Sequence, residues 1–275
     1  MNEQIVVAVD GSAASYAAVD WAAMDAKRRG RALRVVHVCE QVAIGQTEYC
    51  EAALAAAVDR ARAILPESDV TSELTPGHAV ETLVAESARA DSIVLGSRGL
   101  GGFAGLVVGS VSLLVAGHAA GPVVVVRDID PVEYGEVVLG FDGSRPAEAA
   151  AEYAFEQARA RGARLRAVYA WQMPPAAPYA VGYSGYVTST FKSETAAMRE
   201  ALAPWREKYQ DVQVIDDEVC DHPVSALINA SRSADLVVVG SRGLGGFASA
   251  VLGSVSHGVL HHVQRPVAVV RPRKG

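Results

Sequence analysis

The sequence predicts an α/β protein built as two tandem doubly wound, parallel-sheet domains, and three observations lead there. Short apolar, β-branched runs alternate with alanine-rich helical segments, the pattern of a parallel sheet flanked by helices. Two sequence landmarks occur twice, in the same order. The 275-residue length suits two domains of ~100–150 residues each.

The first landmark is Val6-Val7-Ala8-Val9-Asp10-Gly11-Ser12, which returns as Val138-Leu139-Gly140-Phe141-Asp142-Gly143-Ser144, displaced by 132 positions. The second, Gly96 to Ala104, returns unchanged at Gly240 to Ala248, displaced by 144, so the second copy carries twelve extra residues between landmarks. Those residues fall most naturally in 172–190, where Pro174, Pro175, Pro178, Gly182 and Gly185 signal a loop. The copies join near Asp128-Ile129-Asp130-Pro131, which divides the chain into 1–131 and 132–275.

In the first copy the apolar runs place strands near 4–9, 33–38, 69–74, 92–96 and 122–127. Ser12 is placed to cap a helix that runs to Arg29 and stops at Gly30, and Ser144 and Gly162 repeat both roles. Ile93-Val94-Leu95 and Leu236-Val237-Val238-Val239 are apolar throughout, as strands covered on both faces must be. In such sheets ligands lie beyond the carboxyl ends of the strands, where strand order reverses. Asp10 and Gly96 end the first and fourth strands, so the two landmarks converge on one crevice. The last strands, 123–127 and 267–271, are apolar edges that need a partner, and their antiparallel pairing with each other is expected.

Composition excludes several classes. Twenty-five Lys and Arg against 31 Asp and Glu give a net charge of −6, which repels polyanions and argues against nucleic acid as a partner. The N-terminus has no secretory signal pattern, so a cytoplasmic location is expected. Gly99 to Val126 contains no Asp, Glu, Lys or Arg, yet its glycines, His118 and the Gly121-Pro122 break point to loop, helix and strand, with no membrane span. Cys39, Cys50 and Cys220 have no paired spacing and read as buried, reduced thiols. His257 and His261 share a helix face, but Gly258 stands where a zinc protease needs Glu. His78 and His222 recur at helix starts as packing or capping residues, and Trp21 matches Tyr153 as core. No Walker A loop and no Gly-x-Ser-x-Gly elbow is present.

The chemistry lies after the fourth strand. Gly96-x-x-Gly99 is followed after nine residues by Gly109-Ser110, and Gly240-x-x-Gly243 likewise by Gly253-Ser254. Glycines admit close backbone approach, and a helix starting near Gly109 aims free N–H groups and its positive dipole end into the loop, as a polyphosphate requires. Ser110, Ser112, Ser254 and Ser256 offer hydroxyls to phosphate or a metal ion, and Arg98 and Arg242 offer guanidinium groups.

This spacing, with the Val-x-Val-Asp-Gly-Ser start, resembles the ATP-binding signature of the universal stress protein family, twice over and across nearly the whole chain. The resemblance implies a Rossmann-like fold of the adenine nucleotide alpha hydrolase type. It implies ATP, with Mg2+ as an optional companion, in each half. Asp10 and Asp142 would lie by the adenosine, backbone at Val38 and Ala170 would meet adenine, and Gly96, Gly99, Gly109 and Ser110, with Gly240, Gly243, Gly253 and Ser254, would hold phosphates. It also implies pairing of the two halves through their last strands; larger homo-oligomers stay open. The expected role is a nucleotide-dependent regulator of stress response or growth control. The rival is a slow ATPase or phosphoryl or adenylyl transfer enzyme, which lacks an obvious base or nucleophile in the sequence.

Overall fold

The computed structural model describes residues 4–39, 46–65, 70–101, 107–128, 132–172, 195–244 and 251–273. The predicted loop at 172–190 falls almost wholly outside these residues, as do the boundary at 131 and the middle of each glycine-rich loop.

The first half runs β1 (Gln4–Ala8), α1 (Ala13–Arg29), β2 (Ala32–Cys39), α2 (Gln46–Ile64), β3 (Val70–Pro76), α3 (Ala79–Ser87), β4 (Ser92–Gly96), α4 (Ser110–His118) and β5 (Val123–Val126). The second runs β6 (Glu136–Gly140), α5 (Arg145–Arg161), β7 (Arg164–Trp171), α6 (Ala203–Lys208), β8 (Val214–Cys220), α7 (Pro223–Ser231), β9 (Leu236–Gly240), α8 (Ser254–His262) and β10 (Val267–Val270). Each predicted first-half strand is present, with ends moved by no more than two residues.

The strands form one ten-stranded sheet in the order β3-β2-β1-β4-β5-β10-β9-β6-β7-β8. Each half is parallel throughout, and the seam is the expected antiparallel pairing, with Val267 opposite Val125 and Val269 opposite Val123. Sharing the last strands removes two exposed apolar edges at once. In each half strand order reverses beside the first strand, between β1 and β4 and between β6 and β9.

Alternation along the strands divides the core between two faces. Ile5, Val7 and Val9 pack with α1, α2 and α5, while Val6, Val36 and Leu95 pack with α3, α4, α7 and α8. The Ser12 hydroxyl accepts from Ser15 N and Gly30 ends α1 at φ 59°; Ser144 and Gly162 do the same for α5.

The halves also meet through α1 and α5. Arg29 lies over the Tyr153 ring and Arg161 over the Trp21 ring, at 5.7 and 5.3 Å. Between them the buried Asp25 accepts from Gln157 Nε2 at 3.1 Å and from Arg161 Nη2 at 3.2 Å. Trp21 and Tyr153 are core residues, as expected. Cys39 and Cys50 are buried with their sulfurs 2.8 Å apart, but Cys220 is exposed at the end of the edge strand β8, contrary to the expectation of a buried thiol. His222 caps α7 by accepting from Val224 N, whereas His78 makes no such bond to α3. Among the described residues no helix is long and apolar enough to cross a membrane.

Candidate functional site

The two landmarks meet, as predicted, at the carboxyl ends of β1 and β4, and the contact is made by an aspartate. Asp10 Oδ1 accepts from Ser12 N at 3.0 Å and Oδ2 accepts from Leu100 N at 3.0 Å. Asp142 repeats the arrangement with Ser144 N at 3.0 Å and Leu244 N at 3.1 Å. Each carboxylate therefore pins a glycine-rich loop to the strand beside it. Lone pairs remain on both oxygens for a further donor such as a hydroxyl. The Ser12 hydroxyl adds a bond to Arg98 O, and the Ser144 hydroxyl one to Arg242 O.

The loop glycines separate into three roles. A Cβ on Gly96 would lie 2.7 Å from the backbone of Ala14 and Ser15, and one on Gly240 2.8 Å from that of Pro146. Their missing side chains let α1 and α5 cross the fourth strand, a packing role alongside any contact their backbone makes with phosphate. A Cβ on Gly99 or Gly243 would meet the Asp10 or Asp142 carboxylate oxygen, so these two make room for the pin. Gly109 differs: its φ of −72° suits any residue, and a Cβ there would find no neighbour closer than 3.6 Å. Gly253 is tighter, with the Cα of Arg242 at 3.1 Å.

Gly109 and Gly253 are the N-caps of α4 and α8, and neither has a side chain to cap with. Among the described residues no side chain caps these N–H groups, which makes them open to an outside acceptor, and the helix dipole adds positive potential. This contrasts with α1 and α5, whose starts are filled by serine. Ser110 and Ser254 stand exposed at these two starts. Ser112 and Ser256 do not: the Ser112 hydroxyl donates to Gly96 O at 2.7 Å and that of Ser256 lies 3.0 Å from Ser241 O, both side chains buried. A serine hydroxyl has one hydrogen to give, and here it goes to a loop carbonyl, so Ser112 and Ser256 brace the loop from beneath while their oxygen lone pairs stay available.

In the second half the predicted residues border one cleft of about 700 Å³, within the size range of small-molecule sites. All eight are there: Asp142, Ala170, Gly240, Arg242, Gly243, Gly253, Ser254 and Ser256. Val168, Leu227 and Leu252 supply an apolar wall, and His257 an imidazole. In the first half Arg98 is exposed on its loop and Val38 is half-buried at the end of β2.

Sequence reasoning missed several participants. The Tyr49 hydroxyl, from α2, donates to Asp10 O at 3.1 Å and stands where a side chain on Gly11 would go. His37 lies buried on β2, where desolvation lowers its pKa and the charge of Asp10 opposes that in part. Arg127 and Arg271 follow β5 and β10, and desolvation pulls both guanidinium pKa values down, with Arg98 and Arg242 adding like charge. Only the last pair left a trace in the sequence, as a recurrence at the 144-residue offset.

Comparison with known proteins agrees with this architecture. A family model described as the universal stress protein family matches twice, at residues 1–127 and 133–271. The chain is 37% identical to universal stress protein Rv1996 of Mycobacterium tuberculosis, the alignment covering 98% of this chain and 95% of the relative. It is 38% identical to universal stress protein Rv2005c of the same organism, covering 97% and 96%. A crystal structure of a universal stress protein from Archaeoglobus fulgidus superposes over 100% of both chains with a TM-score of 0.72 at 20% identity, a likeness of fold. Two family-model matches, full-length relatives above 30% identity and a doubled site on a doubly wound sheet lead to one conclusion: the chain belongs to the universal stress protein family.

Proposed function

We propose that this protein binds ATP, one molecule in each half, and acts in the cytoplasm as a nucleotide-dependent regulator of stress response or growth control. The observation that carries the reading is the start of α8: an uncapped helix N-terminus opening into a cleft of about 700 Å³, with an arginine on the adjoining loop. In this reading phosphates lie against the first-turn N–H groups of α4 and α8, with Arg98 and Arg242 alongside. The Ser110 and Ser254 hydroxyls donate to phosphate or coordinate an accompanying Mg2+ through oxygen. Asp10 and Asp142 take ribose or adenine donors, and backbone at Val38 and Ala170 borders the base. Denaturing purified protein and identifying released small molecules by chromatography, with calorimetric titration of ATP alongside, tests it. Two adenine nucleotides per chain are expected. A preparation that holds none and takes up none removes the reading.

The rival, slow ATP hydrolysis or phosphoryl or adenylyl transfer, has one observation in its favour: the His257 imidazole borders the second cleft. Steady-state phosphate release with Mg2+ in wild type and His257→Gln decides it. Phosphate release above the no-protein background that is lost in the variant supports the slow rival, and turnover within the ~1–10³ s⁻¹ common to enzymes makes the protein an efficient one.

A further inference from the structure

Arg127 stands one residue past β5 and Arg271 one residue past β10, on either side of the seam between the halves. Arg127 reaches across it. Its Nε donates to Val263 O at 2.8 Å, and its Nη2 to Leu260 O at 2.5 Å and His261 O at 3.0 Å, the carbonyls that end α8 in the second half. Its Nη1 turns back and donates at 3.0 Å to Val107 O, two residues before Gly109 in its own half. Arg271 reciprocates: its Nη2 donates to Gly117 O in the last turn of α4 and, at 3.1 Å, to Val251 O, two residues before Gly253. Val251 itself packs where a side chain on Gly117 would be, so the second loop rests on the first half's site helix.

The last carbonyls of a helix have no partner within it and carry its negative dipole end, and a guanidinium offers five donors in a fixed fork. One arginine thus joins two structures belonging to different sites. α8 begins at Ser254, beside the second cleft, and its nine residues end under Arg127; α4 has the same length, between Ser110 and the contact with Arg271. A helix that short shifts as one body.

We propose that Arg127 and Arg271 are positioning residues that couple the two sites, each holding the base of its own glycine-rich loop against the far end of the other half's site helix. The nature of the ligand rests on the ATP reading; the tie between the halves does not. Each latch arginine feels the like charge of a second cation on the loop it holds, Arg98 or Arg242, so an anion settling there relieves their repulsion and firms the latch. Occupancy of one site therefore raises affinity at the other.

Two measurements on the full-length chain test the coupling. The first needs no nucleotide: in Arg127→Gln, amides of 254–263 in the second half exchange hydrogen faster than in wild type, while those of β6 and β7 keep their rates. The second compares second-site ATP affinity with the first site able to fill, in the wild type, and with it blocked by Gly109→Val; the ratio is expected at roughly 5- to 150-fold, Arg127→Gln brings it towards one, and Arg127→Lys recovers part of it. A residue that merely supported the fold would lower the melting temperature and leave that ratio alone. Unchanged exchange in α8 overturns the tie. Faster exchange with an unchanged affinity ratio overturns the coupling. A wild-type chain that takes up no ATP overturns the nucleotide reading, and the exchange result then decides the latch by itself.

Discussion

Replacing Gly96 by Ala and, separately, Gly109 by Val should produce opposite phenotypes, although both glycines belong to one loop motif. At Gly96 the added Cβ lies 2.7 Å from Ala14 and Ser15 backbone atoms, which cannot rotate away. To reach 3.4 Å, where ordinary contact begins, α1 must withdraw by about 0.7 Å from β4. Overpacking of this kind costs ~1–3 kcal/mol, which at ~2–4 °C per kcal/mol for a chain of this size lowers the melting temperature by ~2–12 °C. Gly109 has an unstrained φ of −72° and a first neighbour at 3.6 Å, so a side chain there leaves the fold alone and fills the space before the helix start. Melting followed by circular dichroism, with calorimetric titration of ATP, reads both effects. Gly96→Ala should melt early yet bind two nucleotides while folded; Gly109→Val should melt within about a degree of wild type and bind one. Normal melting of Gly96→Ala, or two bound nucleotides in Gly109→Val, would refute this division of roles.

Asp25→Ala leaves Arg29 and Arg161 without the buried carboxylate between them and should cost ~3–5 kcal/mol, read from urea unfolding midpoints; a loss below ~1 kcal/mol would show that the cluster is not strained by its removal. Because burial lowers the pKa of His37 below its usual 6.5, the folded state binds fewer protons there than the unfolded state. The stability this residue contributes is complete above about pH 6.5 and declines as pH falls towards the folded pKa, so His37→Leu should flatten that part of the melting-temperature profile. An unchanged profile would assign the acid sensitivity elsewhere. Asp10→Asn puts an amide where two backbone N–H groups need acceptors; the Leu100 amide should exchange faster, at a cost of ~1–3 kcal/mol, and an unaltered Leu100 rate would mean that the loop holds without its pin.

Most of the architecture was legible because it rests on recurrence. The offsets of 132 and 144 exposed the repeat, and apolar runs such as Leu236 to Val239 could belong only to covered parallel strands. The site's position followed from the strand-order rule, and the convergence of Asp10 with the Gly99 loop agrees with it. The roles of single residues were less accessible. Ser112 lies near Gly109 in sequence, but it also shares the buried stripe of α4 with Val115 and Ala116, a three-and-four spacing that points it into the protein. Gly96 carried no sign of the helix crossing it, since that contact joins elements about 80 residues apart. Arg127 and Arg271 were visible as strand ends only. Recurrence reveals which residues are equivalent, and it is silent about which ones cross the seam.

The contact between α1 and α5 shows what joining the halves in one chain allows. Asp25 and Gln157 hold equivalent positions, 132 residues apart, and face each other across the seam. Were the same surface formed by two identical copies of a single repeat, symmetry would set aspartate against aspartate or glutamine against glutamine. A gene that encodes both halves escapes that constraint, since each side mutates separately and an acceptor can be matched with a donor. The pairing also no longer depends on protein concentration, because neither half can diffuse away from its partner. Dilution, which dissolves a dimer of separate subunits, leaves this seam intact.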